Sequence, residues 1–231
     1  MLGTKGARWD AMWENNPRLA KPDEVGDFQI LWGRDPVTNM RAYHTGKSQD
    51  RWFYNLDFRP EPGEFYFATY EKNFAKSFDT PPEIVVEPNI KPKASPNKRY
   101  PWDRWQEFAY MATAAGFKLY QLGPAGTRTL TGVRLIETAT FRQAASILSR
   151  ARAYVGNEGG MHHAAAALGI PGVVVFGGFT PVELTGYPIH RNLGVSLSDA
   201  CGMRIHCEHC DAEMAKISPE QILENMRGNL R

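Results

Sequence analysis

The run Gly172-Val173-Val174-Val175-Phe176 constrains the fold more than any other part of this chain. Successive side chains of a strand point to opposite faces. Five residues without a polar one therefore demand that both faces be buried. That condition is met inside a parallel sheet covered by helices on both sides. Other runs repeat the pattern more briefly: Glu83 to Val86, Phe117 to Leu122, Val133 to Ile136 and Ala153 to Gly156.

Helical segments separate these runs. Pro101 stands where a helix opens, a position that tolerates its missing N–H. Trp102, Trp105, Phe108, Ala109, Ala112 and Ala115 then recur every three or four residues as one apolar stripe, and Gly116 closes it. Thr140 and Gln143 form a capping box ahead of Phe141, Ala144, Ala145, Leu148 and Ala151. His162 to Leu168 is rich in alanine, the best helix former. Ser218 and Gln221, with Pro219 between them, cap a last helix whose apolar face is Ile222, Leu223, Met226 and Leu230. Strands alternating with helices predict a doubly wound, Rossmann-like α/β domain over residues 83–231. Such sheets bind ligands at the carboxyl ends of their strands.

Residues 1–80 have a different texture. They hold Trp9, Trp13, Trp32 and Trp52 among many other aromatics, with few periodic segments. Arg51 to Tyr54 and Glu64 to Thr69 read as short strands, with Pro60, Pro62 and Gly63 as a turn between them. Pro81 and Pro82 mark the boundary to the second domain. Composition excludes several classes. With 27 basic and 25 acidic residues the net charge is only +2, which argues against nucleic acid or anionic lipid as partners. No run approaches the roughly 20 apolar residues of a membrane span. Met1 to Gly6 lack the apolar core of a signal peptide. The expectation is a cytoplasmic protein without stable membrane insertion. Three cysteines do not make a disulfide framework.

Between the strand ending at Gly156 and the helix containing His162 lie Asn157-Glu158-Gly159-Gly160. Adjacent glycines let a backbone turn tightly and approach a ligand. The helix that follows offers unpaired N–H groups and the positive end of its dipole, a natural diphosphate site. An ordinary strand-to-helix turn uses the same residues. The pair His162-His163 reads as a helix start; as helix neighbours they point about 100° apart, which disfavours a shared metal ion.

The segment Asn157 to Pro171 resembles the signature of family 9 glycosyltransferases, the ADP-heptose:lipopolysaccharide heptosyltransferases and their relatives. Their pattern N-D-S/T-G-x-x-H-x-A-A-A-L-G-x-P is followed by an apolar strand and F-G, here Phe176-Gly177, with Pro181 shortly after. Lys98 to Trp105 resembles the family's K-x-W-P-x-x-x-W/F element, with Tyr100 in place of a tryptophan. Leu130-Thr131-Gly132, Cys207 and Cys210, and Ile217 to Leu223 resemble further family segments, so the likeness covers residues 83–231.

The resemblance implies a GT-B-like fold, with a smaller, divergent acceptor-side domain ahead of the nucleotide-sugar domain. It implies transfer of a sugar from a nucleoside-diphosphate sugar to a glycan or other hydroxyl acceptor, with inversion and no required cofactor. The donor-binding set would be Lys98, Asn157, Glu158, Gly159, Gly160, His163 and Thr180. Glu158 stands where the family has aspartate, and Gly159 replaces a hydroxyl residue. These departures favour the alternative of an inactive relative that binds a nucleotide or glycan. Family members open with a strand and a Gly-Asp turn whose aspartate is the base. Met1 to Arg8 show no such strand, which implies an abbreviated first domain and leaves Asp10, Asp27 and Asp50 as base candidates. The class works without a catalytic metal. Cys201, Cys207 and Cys210 remain open between a loop of reduced thiols and a structural zinc site.

Overall fold

The computed structural model describes residues 15–17, 44–47, 50–55, 61–195 and 198–230. Six parallel strands form the main sheet: β3 (Ile84–Glu87), β4 (Leu119–Gly123), β5 (Arg134–Glu137), β6 (Ala153–Asn157), β7 (Gly172–Phe176) and β8 (His190–Gly194). Their spatial order is β5-β4-β3-β6-β7-β8. The chain thus winds outward from β3 in one direction and outward from β6 in the other. This doubly wound order places a topological switch between β3 and β6, where crossover loops leave to opposite sides. Register fixes the pair tightly, with Val86 opposite Val155 and Glu87 opposite Gly156.

Alternation along the strands divides the core into two layers. Ile84, Val86, Val155, Val173 and Val175 face α2 (Trp102–Ala114) and α7 (Pro219–Asn229), with Trp105, Phe108, Ile222 and Met226 in the same cluster. Val85, Tyr154, Val174 and Phe176 share the opposite cluster with residues of α1 (Thr69–Lys76), α3 (Phe141–Leu148) and α4 (Gly160–Ala167). Both predicted N-caps form, and Ser218 with Gln221 makes the full capping box, whereas the Gln143 side chain accepts from the Ala139 N–H at 2.7 Å instead of from the Thr140 N–H. The Thr140 hydroxyl accepts from the Gln143 N–H at 3.1 Å, and Ser218 does the same for Gln221 at 3.2 Å. Gly116 adopts φ +90, the left-handed closure that glycine allows after α2.

The first half departs from expectation. Residues 52–54 do form a strand, β2 (Trp52–Tyr54), antiparallel to β1 (His44–Lys47). The expected strand over 64–69 does not form. Residues 61–68 are irregular, and Thr69 begins α1. The aromatics there are satisfied by packing rather than by strand pairing. Phe65 stacks on Phe67 at 5.5 Å and lies 6.2 Å from Phe141. The Ala68 N–H donates to Glu71 Oε2 at 2.8 Å, which starts the helix. Glu71, 1% exposed, is gripped by Arg142 of α3, so α1 lies on the α/β layer. Elements that the sequence reading did not anticipate include β1, α1, the short helix α5 (Val182–Thr185), the edge strand β8 and the helix α6 (Glu208–Ala215). Among the described residues no helix is long and apolar enough to cross a membrane.

Candidate functional site

Each residue at the switch point is delivered by a crossover loop. After β3 the chain runs through residues 88–95 into a 3₁₀ turn, Pro96–Lys98. Ser95 caps this turn, accepting from the Asn97 N–H at 3.3 Å and donating to the Met203 carbonyl at 2.7 Å. Lys98 is thereby aimed across the switch point. After β6 the chain turns at Glu158 and Gly159 into α4, with Gly159 as N-cap. The Glu158 N–H donates to the Val175 carbonyl at 2.9 Å, which extends strand pairing up to the turn.

The two loops meet through an ion pair between Lys98 Nζ and Glu158 Oε2, with the Lys98 side chain 16% and the Glu158 side chain 4% exposed. His163 Nε2 lies 3.9 Å from the other Glu158 oxygen. Its Nδ1 lies 2.9 Å from the Tyr187 hydroxyl. A neutral ring that accepts from Tyr187 at Nδ1 carries its proton on Nε2, toward Glu158 and the open side. Burial holds His163 below the ordinary histidine range, and the Glu158 carboxylate only partly offsets this. His162 is fully buried against Phe176, His190 and Tyr187. Burial, then the charges of His163, His190 and Lys98, keep its pKa well below the usual value, so it is neutral.

Asn157 is 2% exposed and works inside the fold. Its Nδ2 donates to the Pro88 carbonyl at 2.8 Å, and its Oδ1 accepts from the Tyr100 N–H at 3.2 Å. It therefore fixes both ends of the Lys98 loop relative to β6. Gly177, of the Phe-Gly pair after β7, explains itself through the same loop. A Cβ there would overlap the Asn97 carbonyl oxygen. Thr180 is 1% exposed, and its hydroxyl has no partner among the described residues. Gly159 is open, because a Cβ there meets nothing within 4 Å. At Gly160 a Cβ would come within 3.3 Å of Phe141, so the turn leans on α3.

The structure thus brings together Lys98, Glu158, Gly159, Gly160 and His163 at the carboxyl edge of the sheet, and sets Asn157 behind them. Lysine, neutral imidazole and the N–H groups opening α4 are donors of the kind an anionic ligand needs, with the Glu158 carboxylate balancing the lysine charge. Glu158, His162 and His163 offer ligand atoms within 4.8 Å of one another. A divalent ion among them would face the Lys98 ammonium, which already pairs with the only carboxylate in that group.

Three residues escaped the sequence reading. Phe179 lies under Lys98 Nζ at 5.2 Å and edge-on to Trp52 at 6.1 Å. Tyr187 orients His163. Glu87 ends β3 at the switch point, and burial raises its pKa to about 7 against a hydrogen bond from the Asn89 N–H. A glutamate ending the central strand was the available signal for the last. Of the base candidates, Asp50 joins the edge of the domain, its carbonyl accepting from the Arg204 N–H at 2.6 Å. Asp10 and Asp27 lie outside the described residues.

Comparison with known proteins agrees with this fold. The model of a family described as glycosyltransferase family 9 (heptosyltransferase) matches residues 53–214. Among curated proteins none matches. The fold is similar to E. coli ADP-heptose lps heptosyltransferase II, with a TM-score of 0.54 and 20% identity over 74% of this chain and 55% of that one. A glycosyl transferase family 9 protein from Veillonella parvula gives a TM-score of 0.54 and 18% identity, covering 73% and 53% of the two chains. E. coli heptosyltransferase WaaC with ADP gives 0.52 and 16%, covering 76% and 53%. The chain spans about half the length of these structures.

Proposed function

This chain belongs to glycosyltransferase family 9, and on that premise we propose that it transfers a sugar from a nucleoside-diphosphate donor to a glycan or other hydroxyl acceptor. The observation that carries the proposal is the convergence of Lys98, His163 and the Gly159-Gly160 turn on one anion site at the sheet's switch point. A solved heptosyltransferase of similar fold holds ADP, which supports a diphosphate as the ligand class.

In this reading residues 83–231 bind the donor and residues 1–80 face the acceptor. Lys98 and the first N–H groups of α4 bind the diphosphate. They stabilise it most as the anomeric C–O bond breaks and negative charge gathers on the leaving oxygen. Glu158 and His163 border the donor, Thr180 approaches it from the loop after β7, and Asn157 holds the Lys98 loop at its working distance. The acceptor oxygen attacks the anomeric carbon from the opposite face, giving inversion, while a carboxylate takes its proton. Asp10, Asp27 and Asp50 are the carboxylates to test for that role. Lysine and the helix terminus supply the charge stabilisation that a metal provides elsewhere, so no cofactor enters the reaction.

The experiment is a thermal-shift screen with nucleoside diphosphates and their sugars. At least one diphosphate is expected to raise the melting temperature, and Lys98→Ala to abolish that rise. No shift with any nucleotide would sink the donor-site reading. A second reading, a nucleotide-binding relative without transferase activity, is favoured by Glu158 and Gly159. Binding without sugar release or transfer, in a chain carrying all three candidate aspartates, would select it.

A further inference from the structure

The cysteines near the end of the chain form a separate centre. Cys201, Cys207 and Cys210 bring their sulfur atoms within 4.8 Å of one another. Cys201 Sγ and Cys210 Sγ are 2.9 Å apart, well beyond the about 2.05 Å of a disulfide bond. Cys210, on α6, is fully buried, and Cys207 is the N-cap of that helix.

What surrounds the sulfurs is polar and ordered. The Cys207 N–H donates to Asn97 Oδ1 at 3.1 Å. Asn97 Nδ2 donates in turn to the carbonyls of Met203 at 2.9 Å and Ile205 at 2.8 Å. The Met203 N–H points at Cys201 Sγ, 3.4 Å away. The Gly202 N–H donates to the Gly178 carbonyl at 3.0 Å, and a Cβ on Gly178 would overlap Cys210 Sγ. The turn has little apolar anchorage of its own, with Ile205 50% exposed. A segment of this kind needs some other reason to hold three thiols in one place. Its shell of backbone groups and one buried asparagine is what keeps ligand sulfurs oriented.

We propose that Cys201, Cys207 and Cys210 bind a thiophilic first-row metal ion, zinc by its chemistry, as a three-thiolate site with a fourth ligand from the solvent side. Zinc–sulfur bonds of about 2.3 Å set tetrahedral sulfurs about 3.8 Å apart, a separation the cluster reaches with small side-chain movements. Three S–H protons pass to solvent as the bonds form, and no oxidation takes place. His206 and His209 are engaged elsewhere, His206 with Asp211 at 2.6 Å and His209 near Glu213 at 3.8 Å. The ion's role is structural. It ties α6 to the Lys98 turn through Asn97, to the Gly178 loop, and to β2, whose Trp52 N–H donates to the Gly202 carbonyl at 2.9 Å. It is independent of which substrate the neighbouring site takes.

Metal analysis of the full chain, after reconstitution with Zn²⁺ and removal of loosely bound ions, tests this. The expected result is about one equivalent of metal per chain, released on titration with a mercurial and read with a chromogenic chelator. Because Cys210 lies in the core, its serine variant tests folding as well as ligation. The deciding variant is Cys207→Ser, at the half-buried position, which is expected to bind zinc at least about tenfold more weakly while keeping its helical circular dichroism. Three free thiols with no retained metal would overturn the proposal. So would a Cys201–Cys210 disulfide found by mass spectrometry under non-reducing conditions, or metal content unaffected by Cys207→Ser.

Discussion

Replacing Arg142 by methionine is expected to be the most damaging single change outside the sheet. Arg142 is 5% exposed and Glu71 1%. The guanidinium donates to Glu71 Oε1 at 2.6 Å and Oε2 at 2.8 Å, and also to the Tyr66 carbonyl at 2.7 Å. Methionine fills much of the volume but leaves a carboxylate buried without its counter-charge. Removing one partner of such a pair costs about 3–5 kcal/mol. For a chain of this size that lowers the melting temperature by roughly 6–20 °C. The damage reaches the site by a short path. Phe141 follows the α3 N-cap immediately before Arg142, and it packs beside both Phe65 and Gly160. Loosening α1 frees the wall against which the glycine turn rests, so a smaller diphosphate-induced thermal shift should accompany the lost stability. Urea titration of wild type, Arg142→Met, Glu71→Gln and the double variant forms the assay. The double variant removes both charges and should recover part of the loss, giving a coupling energy above about 1 kcal/mol. A single-variant cost below about 1 kcal/mol, or strict additivity in the cycle, would refute the account.

Further tests bear on the site itself. Glu158→Gln removes the charge that neutralises Lys98 before ligand arrives; removing one unit charge from beside a bound phosphate at an effective dielectric of about 20 is worth about 2 kcal/mol, so ADP affinity by calorimetry should rise roughly thirtyfold. Unchanged or weaker ADP binding would contradict this. Gly159→Ser has room for its side chain and an extended backbone at φ 165, so serine should be neutral or stabilising by a few tenths of a kcal/mol. A clear fall in melting temperature would show that the turn is tighter than it looks. Glu87 has a folded pKa of about 7 against an ordinary 4.5, so the native state holds its proton more firmly than the unfolded chain. Its contribution is full below pH 4.5, declines between pH 4.5 and 7, and is lost above. Glu87→Gln should accordingly gain stability relative to wild type as pH rises from 5 to 8, by at most about 3 kcal/mol. A stability difference between the two that does not vary with pH would count against a half-buried, protonated Glu87.

The sheet interior and the helices α2, α3, α4 and α7 were determined by the sequence alone, since their signals are local. Gly172 to Phe176 had to be a strand buried on both faces, because no alternating register gives it a polar side. Thr140 and Ser218 cap their helices with hydroxyls that reach only three residues ahead. The Gly159-Gly160 turn, between an apolar strand and an alanine helix, was legible as a tight strand-to-helix turn, and so as a candidate anion site, for the same reason. What lies between distant segments was decided by the tertiary structure. The run from Glu64 to Thr69 looks like a strand by residue type. It forms none because packing on Phe141 and the Glu71–Arg142 pair, 71 residues apart in sequence, outweigh local preference. The edge strand β8 carries no apolar run, and exists because β7 offers it a complete ladder of partners. Lys98 and Glu158 each resemble a site residue on their own. Only the switch between β3 and β6 brings them into an ion pair, and Ser95 and Asn97 tie the cysteine turn to the loop that carries Lys98.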